Sequence, residues 1–123
     1  MTAQKSHGLS KAERISGVKD VSALLAGGKW MRSELLKACY MRNGLEYSRI
    51  VVSVPKRLFK RAVKRNLLKR RIREAYRLQK GLLVPAEQPA AGFDILLQYN
   101  SPEVADFAAI RADVAAVLRR IAE

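Results

Sequence analysis

Residues 62–80 read Ala-Val-Lys-Arg-Asn-Leu-Leu-Lys-Arg-Arg-Ile-Arg-Glu-Ala-Tyr-Arg-Leu-Gln-Lys. No helix breaker interrupts the run, and Gly81 follows as a stop. At about 100° per residue, Leu68, Ile72, Ala75 and Tyr76 fall together and form the stripe expected to be buried. Asn66, Lys69, Arg70, Arg73 and Arg77 fall on a separate flank, with Lys64 and Arg71 on the other side of the stripe. The stretch predicts an amphipathic helix whose wet side is almost purely cationic, Glu74 being its only acid. An ordinary solvated helix face mixes signs to gain i,i+4 pairs. Here Lys69 with Arg73, and Arg73 with Arg77, repel, at roughly 0.2–0.5 kcal/mol per exposed pair. Phosphates reverse the sign of that term, and a guanidinium grips a phosphate with two N–H bonds. The cationic run starts earlier, at Lys56, Arg57, Lys60 and Arg61. A solvated charge run and a membrane-surface helix are the competing readings. The narrow apolar stripe, needed to cover a sheet, speaks against the second.

Outward from this helix, Glu34–Met41 and Arg49–Pro55 read as strands. Between them Asn43-Gly44 signals a hairpin turn, in a loop running to Ser48. In the second strand Ile50, Val52 and Val54 point one way and Arg49, Val51 and Ser53 the other, leaving one partly polar face free to bind something. Asp20–Ala26 reads as a short helix with Val21, Leu24 and Leu25 on one side, ended by Gly27-Gly28. Ser10 with Glu13 fits a capping box. Leu82–Ala91, with Pro85 and Pro89, reads as a linker loop. Phe93–Tyr99 reads as a strand with Phe93, Ile95, Leu97 and Tyr99 on one face. Ser101 is expected to cap a last helix, with Pro102 at its first position and Glu103 complementing its positive end. Phe107, Ile110, Val114, Leu118 and Ile121 line that helix at helical spacing.

The expected fold class is α/β in the form of an α+β sandwich. One small mixed sheet of about four strands packs with helices in the order αβββαβα. The expected organisation is a flexible tail over residues 1–9 and one domain over residues 10–123.

Charge narrows the function. Lys and Arg total 24 against 11 acidic residues, a formal +13, and such a field draws in polyanions, nucleic acid foremost. A hydrophobic content of 49% is too high for a disordered basic tail. The single cysteine, Cys39, sits in an apolar run and is expected in the core, with no disulfide possible within the chain. The single histidine, His7, lies in the polar start of the chain. No P-loop, metal-spaced cysteine set or Ser-His-Asp set is present, so neither a catalytic nor a metal-binding residue is assigned. No stretch approaches the roughly 18 apolar residues of a membrane span, and Met1–Ser10 lacks a signal-peptide core. A cytoplasmic setting is expected.

The run from Ala62 to Arg77 resembles the signature helix of the bacterial ribonuclease P protein family. Arg65, Asn66, Lys69, Arg70, Arg73, Glu74, Ala75 and Tyr76 match its Arg-Asn-Arg, Lys-Arg and Arg-Glu-Ala-aromatic pattern. Leu9–Arg14 resembles the family's opening Leu-x-Lys-x-x-Arg run, and Lys19-Asp20 the Lys-Asp before its first helix. Val52-Ser53-Val54-Pro55-Lys56-Arg57 is similar to its Ser-Val-Ser-Lys-Lys strand end, and Gly92-Phe93-Asp94-Ile95 to its Gly-x-Asp-Ile strand. The resemblance runs in order from Leu9 to Ile121. Four places depart from it: Leu67 replaces the second arginine, Pro55 a common serine, Lys60-Arg61 a usual Gly-Asn, and Val21 a frequent phenylalanine.

The resemblance implies a protein subunit that binds a large catalytic RNA. That RNA, with Mg2+ it mainly holds itself, cleaves precursor tRNA at the 5′ end of the mature tRNA. It implies RNA contacts at Lys56, Arg57, Arg65, Asn66, Lys69, Arg70, Arg73 and Arg77. It also implies a cleft for the single-stranded 5′ leader, placed at Val21, Tyr40, Arg49, Val51 and Ser53, with Tyr40 as the stacking aromatic. A left-handed βαβ crossover is implied as well, and neither a membrane nor a further protein partner is required. A ribosomal or other structural RNA-binding protein shares the charge, and a protein enzyme acting on nucleic acid alone is the third reading. An RNA complex held by phosphate contacts should weaken with salt. Log K is expected to fall with log salt at a slope of about −0.7 to −0.9 per contact, and a salt-independent affinity would overturn the electrostatic reading.

Overall fold

The computed structural model describes residues 11–15, 17–83 and 92–123. The expected tail at 1–9, His7, the capping residue Ser10 and most of the expected linker loop, residues 84–91, lie outside them. The elements are α1 (Val18–Gly27), β1 (Lys29–Arg32), β2 (Leu36–Arg42), β3 (Arg49–Ser53), α2 (Ala62–Gln79), β4 (Phe93–Tyr99) and α3 (Phe107–Ala122). Short 3-10 turns cover Lys11–Glu13 and Lys80–Leu83. The order αβββαβα is the expected one. The strand that residue patterning did not locate is β1: in Lys-Trp-Met-Arg the alternation is too short to read, and only Met31 is half-buried.

The strands stand side by side in the order β1-β2-β4-β3. β2 runs antiparallel to both β1 and β4, while β3 runs parallel to β4. The expected hairpin between β2 and β3 is therefore absent, because β4 lies between them. Asn43-Gly44 does turn the chain, with Gly44 at φ +74°. The loop it opens embraces the start of β4 instead of folding β3 back onto β2. The Asn43 N–H donates to the Gly92 carbonyl at 3.2 Å and the Gly92 N–H to the Leu45 carbonyl at 3.0 Å. Only glycine fits at that crossing, since a Cβ on Gly92 would lie 2.2 Å from the Tyr47 carbonyl oxygen. Parallel neighbours need a long crossover, and α2 supplies it between β3 and β4.

Helices α2 and α3 cover one face of the sheet. Leu68, Ile72, Ala75 and Tyr76 of α2 are buried there, as their spacing predicts, with Ile110, Val114, Leu118 and Ile121 of α3. They meet Ile50, Ile95, Leu97 and Tyr99 from the strands. Each such side chain stabilises the fold by roughly 1.5–3 kcal/mol when fully buried. A second, smaller core lies on the opposite face, where α1 lays Leu24 over Cys39 and Leu96 beside Ile15. The Cys39 thiol, pushed up by burial, donates to the Leu24 carbonyl at 3.3 Å. Leu25, expected beside Leu24, is instead 42% exposed, one 100° step off the contact.

One expected helix start is corrected. Ser101 does not cap α3; its Oγ accepts from the Glu103 N–H at 3.3 Å and Pro102 stays outside the helix. The Tyr99 hydroxyl holds the chain non-helical there, donating to the Glu103 carbonyl at 2.6 Å and accepting from the Ala105 N–H at 3.1 Å. Asp106 is the cap, accepting from the Ala109 N–H at 2.9 Å. At the other end of the chain, Glu13 takes Lys80 Nζ at 2.8 Å.

Asp113 of α3 is 8% exposed and acts as a latch. Its carboxylate accepts from Ser33 Oγ at 2.5 Å, the Glu34 N–H at 3.2 Å and the Leu35 N–H at 3.1 Å. That pins the β1–β2 turn to α3 and keeps Glu34 and Leu35 out of β2, where alternation places both. Asp113→Ala leaves these donors without an acceptor and should cost about 1–3 kcal/mol in urea unfolding with the slope unchanged. Asp113→Asn, which keeps one acceptor oxygen, should cost less. Equal stability of Asp113→Ala and the parent protein would show that the turn holds itself.

Candidate nucleic-acid interface

The exposed flank of α2 carries the first surface. Arg61 precedes the helix without a side-chain cap. Arg65 turns back over the entry instead, its guanidinium donating to the carbonyls of Phe59 at 2.8 Å and Lys60 at 2.7 Å. Asn66, Arg70 and Arg73 are exposed, and Lys69 is half-buried. Arg77 is bound through two hydrogen bonds to Glu74, which lower the Glu74 carboxyl and raise the Arg77 guanidinium. Arg71, on the other side of the stripe, donates to the Ala105 carbonyl at 2.6 Å and so belongs to the packing of the chain.

The segment before α1 adds a cation that helix periodicity could not find. The Ile15 N–H donates to the Ile50 carbonyl at 2.8 Å, and Arg14 bridges to Ile50 in parallel. This carries Arg14 to the helix, where it lines a cavity of about 390 Å3 with Arg70, Arg73, Glu74 and Arg77. Lys56 and Arg57 stand exposed in the link from β3 to α2.

The second surface is the sheet face that α1 only partly covers. Pairing register sorts it into rows. Trp30, Cys39, Leu96 and Val51 stand in one row across all four strands. Arg32, Lys37, Gln98 and Ser53 stand in the next, a polar row beside an apolar one. Val21 of α1 packs against the same small core as Val51. The structure therefore brings Val21, Arg49, Val51 and Ser53 onto one face, as expected.

Tyr40 is the correction. It pairs with Ile95, which pairs with Ile50, so its side chain shares the α2/α3 face. It packs edge-on against Phe93 at 6.3 Å, on the opposite face of the sheet from Val51. The parity of β2 relative to β3 is set by β4 lying between them, which the loop between the two gives no means of counting. The aromatic on the face of Val51 is Trp30, 45% exposed, with Lys37 Nζ 4.9 Å above its ring. Patterning missed it along with its strand.

Arg49 is tied into the fold by ion pairs. Its Nε and NH2 meet the Asp94 oxygens at 2.8 and 2.6 Å, and NH1 reaches Asp20 Oδ2 at 3.4 Å. Hydrogen bonding to Asp94 raises its pKa. Asp94, 5% exposed, also accepts from Asn43 Nδ2 at 2.9 Å. These contacts tie β3, β4 and α1 together. Among the described residues no three His, Cys, Asp or Glu side chains gather as a metal-ligand set, and no helix is long and apolar enough to cross a membrane.

The profile of the ribonuclease P family matches residues 9–122. The ribonuclease P protein component of Porphyromonas gingivalis is 39% identical over 127 residues, covering 99% of this chain and 92% of its own. That of Thermotoga maritima is 32% identical, covering 91% and 94%. The solved structure of the Thermotoga maritima protein superposes with a TM-score of 0.75 at 31% identity, over 89% of this chain and 97% of that one. The Staphylococcus aureus structure gives 0.75 at 25% identity, over 89% and 95%.

The Arg49–Asp94 pair generates a stability prediction. Removing one partner of a buried ion pair leaves the other uncompensated, so Arg49→Ala should lose about 3 kcal/mol in urea unfolding. The double variant Arg49→Ala with Asp94→Ala should lose less than the single one. Losses that simply add would show that the two side chains act independently.

Proposed function

Because the chain belongs to the bacterial ribonuclease P protein family, and so is the subunit that joins an RNA partner in the enzyme processing tRNA 5′ ends, we propose that its two surfaces hold two different RNAs. The α2 flank, with Lys56, Arg57, Arg65, Asn66, Lys69, Arg70, Arg73 and Arg77, takes the RNA subunit. The face with Val21, Val51 and Ser53 takes the single-stranded leader of precursor tRNA, with Arg49 acting through Asp94 to fix its floor. Trp30 replaces Tyr40 as the stacking aromatic. The carrying observation is the division of labour in the sheet: cations lie outside α2 on one side, and an aromatic-ended apolar row lies beside a polar one on the other.

The roles differ chemically. Phosphate contacts supply affinity without reading sequence, which suits a folded RNA partner. A sheet face with an aromatic suits unstacked bases, and each stacked base adds roughly 1–3 kcal/mol. Arg65 and Arg77 reach RNA with part of their donor capacity already committed to the chain, whereas Arg70 and Arg73 are exposed. Asn66, exposed on the same flank, offers both a donor and an acceptor, which suits a 2′-hydroxyl or a base edge better than a bare phosphate.

Catalysis belongs on this reading to the RNA subunit, which mainly holds the Mg2+; this chain contributes binding and no step through the ion. Residues 10–123 act as a single RNA-binding domain with 1–9 as a tail. The protein works in the cytoplasm and needs no membrane or further protein partner.

Reconstitution tests the reading. The chain should cleave precursor tRNA at low magnesium only when the cognate RNA is added; cleavage by the chain alone would overturn it. In that assay Trp30→Ala should weaken leader-bearing precursor by the stacking term above and leave mature tRNA unaffected, and equal loss for both would remove Trp30 from the leader site.

A further inference from the structure

A cavity lined by charged side chains lies away from both surfaces, on the α3 side of the sheet. It encloses about 510 Å3 where β2 ends, β4 begins and α3 finishes. Such a volume is that of a small-molecule site. Its walls include two aromatic rings, Tyr40 and Phe93, and three cations, Lys29, Arg42 and Arg120, with Glu123 as the acid in the lining.

The register explains the convergence. Lys29 pairs with Tyr40 and Arg42 with Phe93, so alternation puts all four side chains on one face at one end of the sheet. Arg120 arrives from the last turn of α3. Two guanidiniums are already placed. Arg42 Cζ stands 5.4 Å from the Phe93 ring centre, and Arg120 NH1 donates to the Arg32 carbonyl at 3.1 Å. A planar cation that is already held in place loses less freedom when it binds an anion. Tyr40 is half-buried, its edge-on contact with Phe93 leaving part of the side chain exposed beside the cations.

Charge alone would accept any anion. Two aromatic rings within reach of three cations ask for a ligand that carries a flat apolar system and a phosphate on one small body. We propose that this cavity is a further nucleotide site. It takes one unstacked ribonucleotide, its base against Tyr40 and its phosphate among Lys29, Arg42 and Arg120. The proposal rests on the RNA-partner reading above and adds a third RNA contact, on the opposite side of the sheet from the leader face. The nucleotide comes from the RNA subunit or from tRNA, and the two sources are separated by the test.

The full chain is titrated with adenosine 5′-monophosphate, and separately with inorganic phosphate, while the ring resonances of Tyr40, Phe93 and Trp30 are followed by NMR. The nucleotide should shift Tyr40 and Phe93 in a saturable way, and phosphate should leave the two rings nearly unmoved. Rings unmoved by the nucleotide, or moved alike by both probes, overturn the site, and this needs no variant to fold. The variant Lys29→Gln, Arg42→Gln, Arg120→Gln is then assayed at matched melting temperature in two arms: affinity for the RNA subunit alone, and affinity of the holoenzyme for mature tRNA. A loss on the order of tenfold is expected in one arm and names the source. Parent-like affinity in both arms overturns the use of the site by RNA. Failure of the underlying reading looks different: Arg70→Gln with Arg73→Gln would then also leave RNA-subunit affinity unchanged.

Discussion

The structure depends on where β4 inserts. It enters between β2 and β3, antiparallel to one and parallel to the other, and residues Phe93–Leu97 are buried. Parallel pairing with β3 obliges the chain to leave the sheet and return, which makes α2 a crossover rather than a decoration. Once α2 must lie on the sheet, Leu68 and Ile72 have only one way to face. The cations interleaved with them are turned to water by the same rotation. The placement of the basic flank thus follows from strand pairing and not from any interaction among the charges themselves.

That flank sits in a conformation its own electrostatics oppose. Arg70 and Arg73 are exposed on adjacent turns, Arg14 is delivered to the same cavity by its bridge to Ile50, and Glu74 bonds to Arg77 within it. The packing of the buried stripe holds the like charges together. At roughly 1.5–3 kcal/mol per buried side chain, it far exceeds the few tenths lost per repelling pair. A protein can therefore carry a preformed cationic surface at small cost, and a polyphosphate partner meets donors that do not have to be gathered on binding.

The parts legible in the sequence are those governed by local period. The α2 stripe is determined by residues three and four apart, and Ile110, Val114 and Leu118 follow the same rule, so all of these are buried where spacing puts them. The β3 alternation separates Ile50 from Val51 for a similar reason. Elements governed by distant partners were not legible. Ser101-Pro102 has the composition of a helix start, but the Tyr99 hydroxyl takes that backbone first and moves the start to Asp106. β1 is four residues long and depends on pairing with β2. Asp113 gives no local sign that it will latch a turn some 80 residues away in the chain.

The site divides along the same line. Arg70 and Arg73 could be placed by the helical wheel, because a helix fixes relative directions within itself. The proposed cleft could not be completed that way, since its aromatic belongs to a strand three places removed from Val51 in the sheet. Alternation within β3 says which of its side chains share a face, yet it carries nothing across to β2 or β1. Only the pairings Trp30 with Cys39, Cys39 with Leu96 and Leu96 with Val51 make the transfer. Tyr40 is the next residue along β2 after Cys39, and one residue is enough to move a side chain through the sheet. It therefore faces α3, where Lys29 and Arg42 accompany it for the same reason of parity. A single register both turns Tyr40 away from the face of Val51 and assembles the cavity in which it stands.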